Sequence, residues 1–359
     1  MKVSVCIVTY NHEKFIAKAL DGVLMQRTGF DFEIVVGEDC STDNTRAILM
    51  EYQNRHPAMF RLLLNEKNLG AHKNIEAAMR ACRGEYVAVL DGDDYWTSPD
   101  KLQKQVDFLD RHPECPACFH DALIIHADGS REPTAYRPRQ KAFCTVEDLL
   151  LDNFIPTSSE MFRRCLFDSL PDWIGKLKMG DWPAHILEAL HGPIGYIDET
   201  MGVYRVHHGG VWSTKQWQDH ALAIIELFEA LCIHLDRNYA GIINSILRWR
   251  YYSVSEQYEN RGDLAHARTY LNKSIGKYLS TIGCPPEYAP GADTDYINTI
   301  PDAIRSVNGP LLFKSFLKLY VITVLRSHLT PALKPRFPTL YKVLRAGFCK
   351  TMETFNMRY

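Results

Sequence analysis

Three carboxylates stand within four positions of "VLDGDDYW", residues 89–96, directly after an apolar run. Asp91 and Asp93 point the same way if the chain stays extended, since side chains two apart share a face. Paired carboxylate oxygens suit a hard divalent cation, Mg²⁺ or Mn²⁺, and such an ion usually holds substrate phosphates as well. Other chemistries fit less well. A calcium loop starting at Asp91 needs Gly at its sixth position and Glu at its twelfth, where Trp96 and Leu102 stand. A phosphatase nucleophile of this kind sits on the first strand of its sheet, whereas these acids follow the fourth apolar strand. Neither GxGxxG nor GxxxxGK[ST] occurs, which argues against a dinucleotide fold and a P-loop. For a lone pair of acids, a solvated Asp-Gly turn closing a strand is the plain alternative.

The elements that must position these acids alternate strand and helix. Val3, Val5, Ile7 and Val8 read as a first strand, and Ala17, Leu20, Val23 and Leu24 then recur at helical spacing. "FEIVV" is a second strand, followed by the capping-rich "CSTDNT" and a helix through Ile48, Leu49 and Tyr52. "FRLLL" and "EYVAVL" are strands three and four, with a helix through "AAMRAC" between them. Short apolar strands separated by helices imply a mostly parallel sheet covered on both faces. Ligands bind such sheets at the carboxyl ends of the strands. Thr9-Tyr10-Asn11, Glu38-Asp39, Asn65 and the acids at 91–94 are therefore expected to converge on one crevice.

"VSVCIVTYN", "EIVVGEDCSTDNT", "NLG", "RGEYVAVLDGDD", "MGDW" and "YRVH" follow one another through about the first 210 residues. In that order and spacing they resemble the family 2 glycosyltransferases of the GT-A fold. The resemblance implies an inverting transfer of a sugar from a nucleotide diphosphate donor, assisted by Mn²⁺ or Mg²⁺. It implies that Thr9, Tyr10 and Asn11 line the nucleotide pocket and that Asp39 contacts the base. Asp91 and Asp93 become the DxD, with Asp93 the direct metal ligand of choice, and Asp181 matches the acid of the family's "ED" motif, the general base. The chain departs from the pattern at Gly180, where Glu is usual, and at Glu38-Asp39-Cys40, where Asp-Asp-Gly is usual. The bland reading of Asp181 is a helix cap before "WPAHILEAL". In relatives the loop after "YRVH" folds over the donor, which makes His207 a candidate metal or diphosphate contact and Arg205 a candidate phosphate contact.

Other features carry less. Cys115-Pro116-Ala117-Cys118 near His120 lacks a second pair at zinc spacing and runs into a strand, so two partly buried thiols are expected. "PTSSEMFRR", residues 156–164, reads as a polar loop entering an apolar strand; in the resembled fold it would border the acceptor cleft, its alternative being ordinary loop chemistry. Beyond residue 215 the pattern is helical, with Leu222, Ile225, Phe228, Leu231 and Leu235 on one face. "SEQYENRGDLAHARTYLNKSI" resembles a single helix hairpin of the TPR type, which must pack on something else.

Composition bounds the rest. With 359 residues, 46% of them hydrophobic, the chain can bury a full core. Ten cysteines without a signal-like start fit a reducing compartment. No stretch approaches the roughly 20 apolar residues of a membrane span. The overall charge of −2 is uneven: residues 311–359 hold nine Lys or Arg against one acid, Glu353. "LLFKSFLKLYVITVLRSHL" within that region suits an amphipathic surface on anionic lipid, its alternative being a core helix with snorkelling Lys. No aromatic-basic pattern points to nucleic acid.

The expected fold class is α/β, a GT-A domain with a Rossmann-like, mostly parallel sheet followed by an α-helical C-terminal region. The expected organisation is a glycosyltransferase domain over 1–215, divided into nucleotide-sugar (1–95) and acceptor (96–215) sides. A helical appendage (216–310) and a basic amphipathic region (311–359) follow. The acceptor is expected to be a glycan or lipid-linked molecule, met in the cytoplasm or at the inner face of the cell membrane. A non-catalytic sugar-nucleotide or glycan-binding scaffold on the same fold is the second reading, against which the presence of Asp91, Asp93 and Asp181 counts. A nucleotidyltransferase would want a Gly-rich, basic loop after the first strand, and "TYNHEKF" is neither.

Overall fold

The computed structural model of the chain describes residues 1–210, 212 and 214–281. The turn-rich linker from 283 and the basic region 311–359 lie outside the described residues. The chain divides into two compact units, Met1–Ile246 and the part from Leu247 onward.

The expected alternation opens the first unit: β1 (Val3–Thr9), α1 (Ile16–Leu24), β2 (Phe32–Glu38), α2 (Thr45–Arg55), β3 (Phe60–Leu64), α3 (Ala71–Ala81) and β4 (Tyr86–Asp91). It continues through β5 (Tyr95–Trp96), α4 (Lys101–Arg111), β6 (Ala117–His126), β7 (Thr134–Ala135), β8 (Phe143–Cys144) and α5 (Val146–Leu151). Then come β9 (Met161–Arg163), α6 (Asp181–Ala189), β10 (Ile194–Val206) and α7 (Trp217–His234). The strands form one sheet in the order β3-β2-β1-β4-β9-β6-β10-β5, with β7 and β8 pairing at its margin. β3, β2, β1 and β4 are parallel, and β6 and β10 are parallel to each other; β9 and β5 run antiparallel to their neighbours.

The central strands are mostly apolar because both faces are covered, and the buried Ser4 and Glu33 pair with each other at 2.7 Å. α1 buries Ile16, Ala19, Leu20 and Val23, a helical stripe, against Val3, Val5 and Ile7 of β1. This packing brings the carboxyl ends of β1, β2 and β4 together: Thr9 lies opposite Glu38 and Val8 opposite Asp91.

Two sequence expectations change. In residues 156–164 the expected strand is present, but the segment that enters it is buried instead of an open polar loop. That segment is a turn of 3-10 helix (Thr157–Ser159) leading into β9, which sits in mid-sheet between β4 and β6. The burial is tolerated because the backbone is satisfied: Trp96 Nε1 donates to the Ser158 carbonyl at 2.7 Å and Gln105 Nε2 to that of Ser159 at 2.8 Å. Cys115 and Cys118, expected to be partly buried, are wholly so. Burial, and then the Glu114 charge, push the Cys115 thiol up to about 11, the opposite of what a reactive thiolate needs.

In α7 the expected face is buried at Ile225, Phe228 and Leu231. α8 (Ala240–Asn260) crosses the division between the units, and α9 (Leu264–Thr281) follows it. Within the second unit the two helices form an antiparallel hairpin that turns at Gly262, whose φ of 82° suits glycine. Tyr258 stacks on Tyr270 at 5.8 Å, and the Ser255 hydroxyl donates to the Ala267 carbonyl at 2.8 Å.

Candidate active site

Strand ends deliver all the candidate residues except Asp181, which opens α6. After β1 the chain turns at Asn11, which adopts φ 56°, a left-handed conformation that Asn tolerates. The Asn11 side chain accepts from the Thr42 N–H at 2.8 Å while its own N–H donates to Ser41 Oγ at 2.9 Å. That exchange staples the loop after β1 to the loop after β2. Thr9 is buried beneath it, and Tyr10 stands 42% exposed.

Asp39 is 2% exposed, and both its oxygens are occupied. One accepts from Asn65 Nδ2 at 3.0 Å and the Leu69 N–H at 2.7 Å; the other accepts from the Gly70 N–H at 2.9 Å. Asp39 thus shapes the "NLG" loop that enters α3. Glu38 beside it pairs with Arg46, which also donates to the Asn65 carbonyl at 2.6 Å.

The three acids separate in role at the turn after β4. Asp94 is buried and accepts from the Arg205 N–H at 2.8 Å, so it ties the turn to β10. Burial, then the charges of Asp93 and Asp91, push its carboxyl well above the ordinary range. Asp91 is pushed up to about 7 by burial and then by the charges of Asp93 and Asp181. Asp93 behaves oppositely. Burial acts to raise it, but the His207 hydrogen bond and the two neighbouring imidazoles outweigh that and hold it below the ordinary Asp range.

β10 carries Arg205 and His207 to these acids through its pairing with β5, where Val203 lies opposite Tyr95. His207 Nε2 is 2.9 Å from Asp93 Oδ2. The Arg205 guanidinium lies between two rings, 4.5 Å from Phe15 and 5.1 Å from Tyr95, and its Nε is buried without a hydrogen-bond partner. Ring faces attract such a cation, which holds Arg205 beside the acids.

Asp181 joins the group from the other side. The plain alternative to the base made Asp181 a helix cap, but it is the first residue of α6, and Gly180 takes the cap position without a side chain to use there. The carboxylate instead accepts from Asn153 Nδ2 at 3.3 Å and acts electrostatically on Asp91. Tyr136 stands close by, its phenol pushed up to about 12 by burial and then by the Asp181 charge.

His12 is the site residue that the sequence reading passes over. Its Nε2 lies 3.7 Å from the same Asp93 oxygen that meets His207. Burial lowers its pKa against the pull of Asp93, which favours the neutral imidazole. His12, Asp93 and His207 each present one donor atom within 4.8 Å of the others, and Asp91 is outside that trio.

A family model described as Glycosyl transferase family 2 matches residues 4–168. An uncharacterized protein of Mycobacterium tuberculosis (strain ATCC 25618 / H37Rv) is 36% identical over 284 residues, covering 77% of this chain and 80% of that protein. The crystal structure of S. aureus TarS 1-349 in complex with UDP-GlcNAc aligns with a TM-score of 0.53 at 20% identity, over 91% of this chain and 88% of that one. The mannosyltransferase PcManGT from Pyrobaculum calidifontis, in complex with GDP-Man and Mn²⁺, aligns with a TM-score of 0.53 at 18% identity, over 90% of this chain and 87% of that one. At these identities the likeness to the solved structures speaks for the fold.

Proposed function

This chain belongs to glycosyl transferase family 2, and from that premise we propose an inverting transfer of a sugar from a nucleotide diphosphate donor to a hydroxyl of a glycan or lipid-linked acceptor. The observation that carries the reading is the meeting of Asp91, Asp93, Arg205 and His207, at the carboxyl ends of β4 and β10, with Asp181 from the start of α6. Two relatives of the fold are described with bound nucleotide sugars, UDP-GlcNAc in TarS and GDP-Man in PcManGT, which supports a donor of that class here.

In this reading the nucleotide lies over Thr9, Tyr10 and Asn11, with the base toward the loop that Asp39 shapes. The donor set of Asp93 with two imidazoles fits a divalent cation, Mn²⁺ or Mg²⁺, with Asp91 beside it. Such an ion, when bound, supplies positive charge to the departing diphosphate. Arg205 adds a fixed guanidinium to the same oxygens. The acceptor hydroxyl approaches from the α6 side and gives its proton to Asp181. Its oxygen then bonds to the anomeric carbon from the face opposite the diphosphate, and the diphosphate leaves with the bonding electron pair. A thermal-shift screen of nucleotide diphosphate sugars with Mn²⁺ tests the reading. A matching donor at 100 times its Kd stabilises by about 2.7 kcal/mol. If no donor shifts the melt and none is turned over, the proposal is wrong; binding without turnover would favour a scaffold.

The membrane contact is proposed for residues 311–359, from their charge and from the apolar-basic pattern of 311–329. Among the described residues, no helix is long and apolar enough to cross a membrane. Deleting residues from 311 onward is expected to leave a folded enzyme that no longer pellets with anionic vesicles, since basic residues contribute about 1 kcal/mol each near such a surface. The full chain should bind less as salt rises. Equal pelleting with and without the region would end the membrane reading, and an unfolded truncate would assign the region to the core.

A further inference from the structure

The geometry points to His12 as a direct ligand of the divalent ion. We propose that His12, Asp93 and His207 form a two-imidazole, one-carboxylate site that takes a first-row transition ion in preference to Mg²⁺. The inference rests on the glycosyltransferase reading only for the presence of an ion.

Both imidazoles address one carboxylate oxygen, at 3.7 Å from His12 Nε2 and 2.9 Å from His207 Nε2. Each ring is held. The His12 N–H donates to Thr45 Oγ1 at 2.8 Å, just after the left-handed turn at Asn11, and this fixes the direction in which the side chain leaves the loop. The His207 ring packs on Phe15 at 4.5 Å between centroids. The side chains are 15%, 17% and 9% exposed for His12, Asp93 and His207. That leaves an opening through which an ion can enter and diphosphate oxygens can complete its shell.

A second observation concerns the far side of the His12 ring. His12 Nδ1 and Thr9 Oγ1 are both buried and lack a hydrogen-bond partner. They flank one point: a Cβ on Gly92 would lie 3.0 Å from the first and 2.7 Å from the second. An ion on Nε2 fixes the proton on Nδ1, which then needs an acceptor, and the unpaired Thr9 hydroxyl lies on the same side of the ring. Ligating histidines generally have such a partner for their other nitrogen. The absent Gly92 side chain is what lets these groups approach.

The donor types then set the preference. Mg²⁺ demands oxygen ligands in near-ideal octahedral geometry and dehydrates reluctantly. Imidazole nitrogen favours first-row transition ions, and a set of two His and one carboxylate leaves positions open for substrate. Asp91, outside the trio, is left to meet the ion through water or to contact the donor.

Pulsed EPR of the full chain loaded with Mn²⁺ alone reads the proposal directly, because coupled ¹⁴N nuclei report imidazole ligands. Two such nitrogens are expected, and a hundredfold excess of Mg²⁺ should leave them in place. His12→Gln should retain one nitrogen and weaken Mn²⁺ binding by about tenfold or more, a loss at least as large as that for removing an outer-shell partner. The wild-type nitrogen count stands even if the variant folds poorly. A spectrum without ¹⁴N coupling, a His12→Gln spectrum like wild type, or easy displacement by Mg²⁺ would overturn the proposal while leaving glycosyl transfer untouched. Two-nitrogen binding in a protein that turns over no nucleotide sugar would do the reverse.

Discussion

Asp93→Asn is expected to lower kcat/KM for sugar transfer by roughly 10³-fold or more while the protein still folds. The size follows from what the carboxylate does: a bound metal contributes several kcal/mol of charge stabilisation, and about 1.4 kcal/mol is tenfold in rate. Asp93 is the acid whose oxygen faces both imidazoles, and its carboxyl is the one of the three held below the ordinary range. Asn has nearly the same shape and can still meet His207, so the packing around it should persist. Asp91→Asn should cost less, because that carboxyl lies outside the donor trio. Asp94→Asn should act mainly on stability, since Asp94 is buried as the acceptor for the Arg205 N–H. Steady-state kinetics at saturating Mn²⁺, run beside melting curves, read all three. Near wild-type turnover in Asp93→Asn would remove the acid from the proposed machinery.

How much of this the sequence could yield depended on the kind of signal. β1 to β4 and their helices were legible because apolar residues recur at two distinct periods over long enough runs, as in Val3, Val5, Ile7 against Ala17, Leu20, Val23. The convergence of strand ends on one crevice followed from parallel topology, and the structure brings Thr9, Asp39, Asp91 and Asp93 to those ends. β9 was legible as a strand, but the burial of the segment that enters it was not. The Ser-Ser-Glu there reads as loop, since nothing local announces that Trp96 and Gln105 will satisfy its carbonyls. The division of labour among Asp91, Asp93 and Asp94 was equally hidden, because it is decided by Arg205 and His207 more than 110 positions away. His12 has no periodic or motif signal of its own. The available hint was its place three residues beyond the end of β1, next to the strand that carries the acids; a search for imidazoles in the strand-end loops would have found it.

The role of Asp181 separates chemistry from helix stability most sharply. Asp181→Asn is expected to bind the donor as wild type does and to lose about 10²–10⁴-fold in kcat, the range of general-base catalysis. The alternative is that the acid merely favours the N-terminus of α6. A carboxylate in a first helical turn is worth about 0.3–1 kcal/mol through the helix dipole, so the amide should cost no more than a modest drop in Tm. Gly180 occupies the cap position with no side-chain cap hydrogen bond, so no capping bond is lost with the charge. Asn at 181 keeps an oxygen to accept from Asn153, which preserves the local contact. What disappears is the negative charge and the capacity to take the acceptor's proton. Donor affinity, kcat and Tm measured on one preparation distinguish the two roles. A variant with lowered Tm and full specific activity would make Asp181 a structural residue, whereas unchanged donor binding and Tm with a collapsed kcat would assign it the base.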